Sequence, residues 1–254
     1  MTRLSFDAYL DHIGRESRRF RDVLADCDPA ARVPSCPDWD ASDLLWHLTQ
    51  VQAFWAGIVR DRPAGPQGGE SPRPATYAEL LSGFDEAHAM LLTALESADP
   101  ADAAWTWAEE QTVGFSYRRQ AHEALIHRLD AELAARDVTG LDPLLAADGV
   151  DEALTVVHGV TSKDTFEPMH LVRVDLRDTD TQVWVELGTT PTDSEPRLRV
   201  VTDAGGEEPD VVVEGLAADV DAWLWNRVDD DVIHVAGDRA VHQRFVECVR
   251  RPIG

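Results

Sequence analysis

The hydrophobic period of the chain changes once, close to residue 137, and this change divides the sequence into two parts. Up to Ala135, large apolar residues recur every three or four positions, which is the spacing of amphipathic helices. Beyond about residue 150, apolar and polar residues alternate over short stretches, as in half-buried strands. At 254 residues the chain is long enough for two modest domains. We therefore predict a helical domain over residues 1–138 and a small α+β domain over residues 150–254.

The first part contains four predicted helices. They cover residues 5–25, 40–58, 76–97 and 114–135. The stretch from Asp61 to Ala75 is rich in proline and glycine, so it is predicted to be a loop. Four amphipathic helices in succession favour an up-down four-helix bundle, and the core of such a bundle is a common place for metal sites built from side chains.

The second part is predicted to mix strands and helices. A linker is expected over residues 137–149, followed by a short helix from Ala153 to His158. Strands are then predicted over residues 171–176, 183–187, 198–201, 211–213 and 232–235, and helices over 217–226 and 238–249. This pattern indicates a small α+β fold.

Charge and cysteine content restrict the partners and the compartment. The formal net charge of −24 opposes binding to nucleic acid and to anionic membrane surfaces. Cys27, Cys36 and Cys248 have no metal-ligand spacing, so reduced thiols are expected. The first residues lack the apolar segment of a signal peptide, and no run of 18 apolar residues occurs. We expect a cytoplasmic protein with no nucleic-acid or membrane partner.

The segment from His122 to His127 contains the residue types of a metal site. It resembles the H-E-x-x-H zinc signature, but one residue too many separates the two histidines. At about 100° per residue, His122 and His127 lie on different faces of a helix. Glu123 and His127, four positions apart, share a face. The sequence therefore predicts a pair of ligands at Glu123 and His127, and argues against a metalloprotease.

A third ligand must come from another helix, and His47 is the candidate. It lies in the middle of the second predicted helix among residues that are expected to be buried. A buried histidine needs a hydrogen-bond partner or a metal, and the residues alone leave both readings open. Asp130 extends the stripe of Glu123 and His127, either as a residue that orients a ligand or as a solvent-exposed carboxylate.

Two segments resemble the mycothiol-dependent maleylpyruvate isomerase family, and a third does so more weakly. The first includes VPSCPDWD at residues 33–40 and DLLWHL at 43–48; the second is RQAHEALIHRLDAE at 119–132. The weaker match consists of LWNR at 224–227 and VAGD at 235–238. The resemblance implies a DinB-like bundle followed by a C-terminal domain similar to sterol-carrier folds.

The resemblance also implies a metal site at His47, Glu123 and His127. In that family the matching residues bind a divalent metal, usually zinc, and the thiol of mycothiol takes an open position on the ion. Two imidazoles and a carboxylate suit Zn²⁺ with open positions, although these donors do not by themselves choose among zinc, manganese, iron and nickel. Zinc is the expected ion, and mycothiol is the expected thiol cosubstrate.

The implied function is thiol chemistry on an electrophilic small molecule. A metal-activated thiolate could add to a double bond, allow rotation and leave again, as in an isomerase, or remain attached, as in an S-transferase. Arg227 is the candidate catalytic residue that would hold a carboxylate, although Asn226 stands where family members often have glycine; the alternative is a surface arginine. A monomer or small homo-oligomer is expected.

Two other functions remain open from the sequence. The bundle could be a non-catalytic module that binds a metal or a small ligand. It could also be a metal-dependent hydrolase that uses bound water, with Asp130 or His122 as the base.

Overall fold

The computed structural model describes residues 3–67, 69, 71–161, 165–191, 193–202 and 204–250. The chain divides into two compact units, one of residues Leu4–Leu141 and one of Met1–Arg3 with Asp142–Gly254. The termini of the predicted domains, residues 1 and 254, lie outside the described residues. Within the described ranges, no helix is both long and apolar enough to cross a membrane.

The first unit contains the four predicted helices. They are α1 (Phe6–Asp26), α2 (Ala41–Arg60), α3 (Tyr77–Glu96) and α4 (Val113–Ala135). Local sequence fixes three of the starts, because the side chains of Ser5, Asp40 and Thr76 each accept a hydrogen bond from the first turn. Asp40 and Thr76 form reciprocal capping boxes with the third residue of their helices. The four-helix bundle is confirmed.

The directions of the helices refine the predicted up-down order. Glu16 and Arg19 of α1 pair with Arg128 and Glu132 of α4, in the same sequence order, so these helices run parallel. By contrast, α2 is antiparallel to α4, as shown by ring contacts of His47 with His127 and of Trp55 with Phe115.

The order is therefore up, down, down, up, since α3 is antiparallel to α1. Phe84 contacts Phe20, and the hydroxyl of Tyr77, earlier in α3, donates to the carbonyl oxygen of Leu24, later in α1. The segment 61–76 must cross back along the bundle between α2 and α3. Twenty helical residues span about 30 Å and sixteen extended residues reach about 53 Å, so the segment is long enough.

The second unit is a mixed five-stranded sheet with helices. Its strands are β1 (Glu167–Leu176), β2 (Thr181–Thr190), β3 (Asp193–Val201), β4 (Val211–Gly215) and β5 (His234–Gly237), in the spatial order β3-β2-β1-β4-β5. The β1–β4 pair is parallel, and the β1–β2, β2–β3 and β4–β5 pairs are antiparallel. Val172, Val174 and Leu176 of β1 are buried at alternate positions, as the period-two pattern predicts. The α+β class is confirmed.

Helix α5 begins inside the segment that was predicted to be a linker. It covers Pro143–Glu152 and continues as a π-helical turn over Ala153–Val157, where the sequence predicted only a short helix. Asp142 caps it, because its carboxylate accepts from the backbone of Leu144 and Leu145, and proline suits the first position. The predicted linker is therefore wrong over its second half, because Asp142 and Pro143 start a helix there.

The last two helices are α6 (Ala217–Leu224) and α7 (Arg239–Val249). Phe245 of α7 contacts Trp223 of α6, and both side chains are fully buried. The last strand, β5, lies two residues later than predicted, because Asp230–Val232 forms a 3-10 turn.

Candidate metal site

Three side chains with metal-ligand chemistry meet between α2 and α4. His47, Glu123 and His127 each offer one ligand atom, and these atoms all lie within 4.8 Å of one another. The ring centroids of the two histidines are 4.8 Å apart, with the planes nearly perpendicular. The structure thus brings together the three residues that the sequence predicted to form the site.

Helix geometry explains why the three residues converge. Glu123 and His127 are one turn apart on α4, so their side chains leave the same face. Nε2 of His127 lies 3.1 Å from Oε2 of Glu123. Because α2 and α4 are antiparallel, His47 in the first half of α2 lies beside His127 in the second half of α4.

The other nitrogen of His127 is held by a buried carboxylate. Nδ1–H of His127 donates to Oδ2 of Asp130 over 2.9 Å, and Asp130 has no exposed surface. The second oxygen of Asp130 accepts from the hydroxyl of Ser35 at 2.5 Å. Asp130 is therefore an orienting residue rather than a solvated carboxylate.

The electrostatic field of the site favours a cation. Burial alone would lower the pKa of His127, but the hydrogen bonds that its ring donates to Asp130 and Glu123 outweigh it and raise this pKa to about 9. Burial alone would raise the pKa of Glu123, yet Arg119, His127 and His47 lower it to about 2. In the metal-free protein the imidazolium of His127 thus lies between two carboxylates.

Neighbouring side chains also contact Glu123 and His47. Nε of Arg119, a residue that is almost fully buried, lies 3.3 Å from Oε1 of Glu123 and leaves Oε2 toward His127. The ring of Trp39 packs on His47, with centroids 4.8 Å apart. Trp39 belongs to the loop that precedes α2, as does Ser35.

His122 points to another part of the bundle. It is buried and makes an edge contact with Tyr9 of α1, with ring centroids 6.3 Å apart. It is not in the group of residues that surrounds the site. The position of His122 therefore agrees with the prediction that this segment is not an H-E-x-x-H motif.

Arg227, the candidate catalytic residue, lies in the second unit at the end of α6. Its backbone N–H donates to the carbonyl of Ala222, and the N–H of Asn226 donates to that of Trp223. With φ of 60° at Asn226, these bonds form a Schellman motif. The Nη1 atom of Arg227 donates to the carbonyl oxygen of Trp225 at 2.5 Å.

The Schellman motif explains why asparagine can stand at position 226, where family members often have glycine. Its position requires a left-handed backbone, which glycine adopts freely and which asparagine tolerates better than most residues. The substitution therefore keeps the helix end that precedes Arg227. The catalytic role of Arg227 stays a prediction.

Sequence reasoning missed Ser35 and Trp39 as parts of the site. Both lie in the VPSCPDWD segment, 33–40, that carries the family resemblance. The segment contains the signal, but the contacts of Ser35 with Asp130 and of Trp39 with His47 depend on tertiary structure.

Comparisons with known proteins identify the same family in both units. Residues 10–132 match the model of the mycothiol maleylpyruvate isomerase N-terminal domain, and residues 144–244 match that of the corresponding C-terminal domain. No protein of curated function is similar enough in sequence to match.

Two solved structures share the fold. They are the mycothiol-dependent maleylpyruvate isomerase, with a TM-score of 0.62, and its variant with one histidine replaced by alanine, with a TM-score of 0.63. Both are 13% identical to this chain, and the alignments cover 93% of this chain and 96% of the other. At this identity the likeness shows the fold alone. The two domain matches, which together span most of the sequence, show that the chain belongs to the mycothiol-dependent maleylpyruvate isomerase family of enzymes.

Proposed function

We propose that His47, Glu123 and His127 hold a divalent metal ion, with zinc as the expected ion. The observation that carries the proposal is the convergence of three ligand atoms within 4.8 Å on two helices. Two imidazoles and one carboxylate are a common donor set for catalytic zinc. The residues fit the ion, because the field that raises the pKa of His127 also favours a metal cation.

The surrounding residues prepare the site for that ion. Asp130 accepts from Nδ1 of His127 and so directs Nε2 into the site. The guanidinium of Arg119 lies beside one oxygen of Glu123, which leaves the other oxygen for ligation. A divalent ion bound by three such donors keeps open positions and lowers the pKa of a thiol that coordinates it.

We further propose that mycothiol is the thiol cosubstrate and that an electron-poor double bond of a small molecule is the target. The proposal rests on family membership and on the two solved relatives, which are mycothiol-dependent maleylpyruvate isomerases. The thiolate sulfur forms a bond to one alkene carbon, the electron pair moves to the adjacent acceptor group, and the former double bond rotates. Loss of the thiolate then restores the double bond as the other isomer.

The same adduct leads to a second outcome. If the adduct takes up a proton instead of expelling the thiolate, the product is a thioether and the protein is an S-transferase. The guanidinium of Arg227 is proposed to pair with a carboxylate of the substrate in either case. Isomerisation is the leading proposal, because it is the activity of the solved relatives.

The hydrolase alternative lacks a suitable base. Of its two candidates, Asp130 already accepts hydrogen bonds from His127 and Ser35, and His122 contacts Tyr9 on the other face of α4. A non-catalytic binding module would need neither thiol nor turnover. Thiol-dependent turnover therefore separates the proposed enzyme from both alternatives.

The test uses zinc-loaded full-length protein, mycothiol, and cis unsaturated keto acids that include maleylpyruvate. An isomerase converts substrate catalytically without loss of free thiol, whereas an S-transferase consumes one thiol per product. Glu123→Gln should abolish either activity, and Glu79→Gln, an exposed helix-start residue, should not affect it. Absence of mycothiol-dependent turnover by the zinc-loaded wild type would overturn the proposal.

A further inference from the structure

We propose that Ser35 is a positioning residue for His127 and acts through Asp130. The inference rests on the proposed metal site and extends it to a residue that is not one of its three ligands. The loop between α1 and α2 would then help to set the orientation of the His127 imidazole.

The contacts form one chain of hydrogen bonds. The hydroxyl of Ser35 donates to Oδ1 of Asp130 at 2.5 Å, and Oδ2 of the same carboxylate accepts from Nδ1 of His127 at 2.9 Å. Each oxygen of Asp130 therefore has a different partner. The two bonds together fix the rotation of the carboxylate about its Cβ–Cγ bond.

Because Asp130 is buried, its carboxylate depends on the hydroxyl of Ser35. Asp130 has no exposed surface, so water is not at hand to replace a lost partner. Without the serine hydroxyl, Oδ1 would be a buried carboxylate oxygen that lacks this donor. The carboxylate would then gain by turning toward other donors, and the bond to Nδ1 of His127 would weaken.

The backbone of the loop holds Ser35 in place. The N–H of Cys36 donates to the carbonyl of Val33, that of Trp39 to Cys36, and that of Val33 to Trp39. The first two bonds form successive turns at 33–36 and 36–39, and Ser35 lies within the first of them. Its hydroxyl is thus presented to Asp130 by a fixed backbone.

The same loop contacts the other histidine of the site. Trp39, four residues after Ser35, packs on the ring of His47. One short segment therefore touches His127 indirectly and His47 directly. We infer that this loop sets the orientation of both imidazoles.

The experiment compares Ser35→Ala with two controls, and a second variant without the hydroxyl is held in reserve. Ser35→Thr keeps the hydroxyl and should restore the wild-type result. Ser42→Ala removes a nearby serine hydroxyl that donates to the carbonyl of Pro29 and not to the site. Ser35→Gly also lacks the hydroxyl and serves if the alanine variant does not fold.

Two measurements are made on each full-length variant. The first is zinc affinity, by competition with a chromophoric chelator. The second is the imidazole Nδ1–H proton resonance in the metal-free protein, assigned by its loss in His127→Gln. The second reports the Asp130 bond without any metal.

In Ser35→Ala, zinc affinity should fall about tenfold, the lower end of the range for partners outside the ligand set. The Nδ1–H resonance should broaden or vanish, since its bond weakens and the proton exchanges faster. Ser35→Thr and Ser42→Ala should match the wild type. Wild-type affinity together with an unchanged resonance in Ser35→Ala would overturn the inference.

The two proposals fail in distinguishable ways. If the wild type binds no zinc, the proposed metal function fails, and the resonance alone decides the role of Ser35. Loss of the resonance in Ser35→Ala would then still support positioning through Asp130, and its retention would overturn it.

Discussion

His127 donates from Nδ1 to Oδ2 of Asp130 over 2.9 Å, three residues further along the same helix. The carboxylate has no exposed surface, so the bond is shielded from competing water. Its effect on metal binding is open to a direct test. Asp130→Asn should weaken zinc binding about 10–100-fold, because a neutral amide orients and polarises the imidazole less well. Zinc competition on Asp130→Asn and on Asp85→Asn, an exposed control, checks this; equal affinities would contradict it.

Elemental analysis counts the zinc ions bound per chain and so tests the proposed ligands. We expect about one zinc ion per wild-type chain after loading, the occupancy of a single three-ligand site. His47→Gln, Glu123→Gln and His127→Gln should each lose it, because two remaining donors bind weakly. His122→Gln on the other face of α4 should retain the ion. Retention of zinc by all three ligand variants would place the ion elsewhere.

A buried ion-pair network joins the two parallel helices α1 and α4. Arg128 contacts Glu16 and Glu132 at 2.8 Å each, and all three side chains are almost fully buried. Arg128→Met should reduce the free energy of unfolding by about 3 kcal/mol, since Glu16 and Glu132 lose their shared buried cation and keep only the more exposed Arg15 and Arg19.

The matched control for that network is the exposed pair of Arg21 and Asp85. Arg21→Met should change the free energy of unfolding by about 1 kcal/mol or less. Urea unfolding of both variants gives the comparison. Similar losses in the two variants would show that burial is not what makes the Arg128 network important.

The left-handed backbone of Asn226 predicts an unusual ranking of substitutions. Asn226→Gly should be neutral or stabilising, whereas Asn226→Val should cost about 1–2 kcal/mol, because a β-branched residue is strained at φ of 60°. Urea unfolding measures both. A valine variant as stable as the glycine variant would contradict the Schellman assignment at the end of α6.

The second unit should lose stability in mild acid through His158. Burial, with a smaller effect of Arg250, lowers the pKa of this imidazole to about 4, below about 6.5 for the unfolded chain. As the pH falls from 6.5 toward 4, the unfolded state binds a proton that the folded state does not. Stability should therefore decrease by about 2–3 kcal/mol over this window and be unaffected above it.

His158→Gln removes this proton uptake. The free energy of unfolding of the variant, measured in urea at several pH values, should fall less steeply between pH 6.5 and 4 than that of the wild type. Parallel curves would show that His158 does not contribute.

The features set by local sequence were predicted well. The capping residues Asp40 and Thr76 mark the starts of α2 and α3, and the four-residue spacing of Glu123 and His127 places them on one face. The start of α5 was missed, although Asp142 and the proline after it are a local signal, because the surrounding sequence reads as a linker.

Features that depend on tertiary contacts could not be read in the same way. The direction of α3 depends on the path of the segment 61–76, which its composition does not specify. The bond from Ser35 to Asp130 joins a loop to a helix far away in sequence, and no spacing rule connects them. Whether His47 faces Glu123 and His127 depends on the antiparallel contact of α2 with α4, which the sequence does not specify.

Because α2 and α4 are antiparallel, the proximity of His47 to Glu123 and His127 depends on the register of these two helices. The three ligand atoms lie within 4.8 Å, whereas sliding one helix by a single turn would displace His47 by about 5.4 Å. A bundle in which α2 had slipped would therefore lose the site, although its apolar faces would still meet. Metal binding would thus select one register among bundles of similar packing, and chelation would remove that selection.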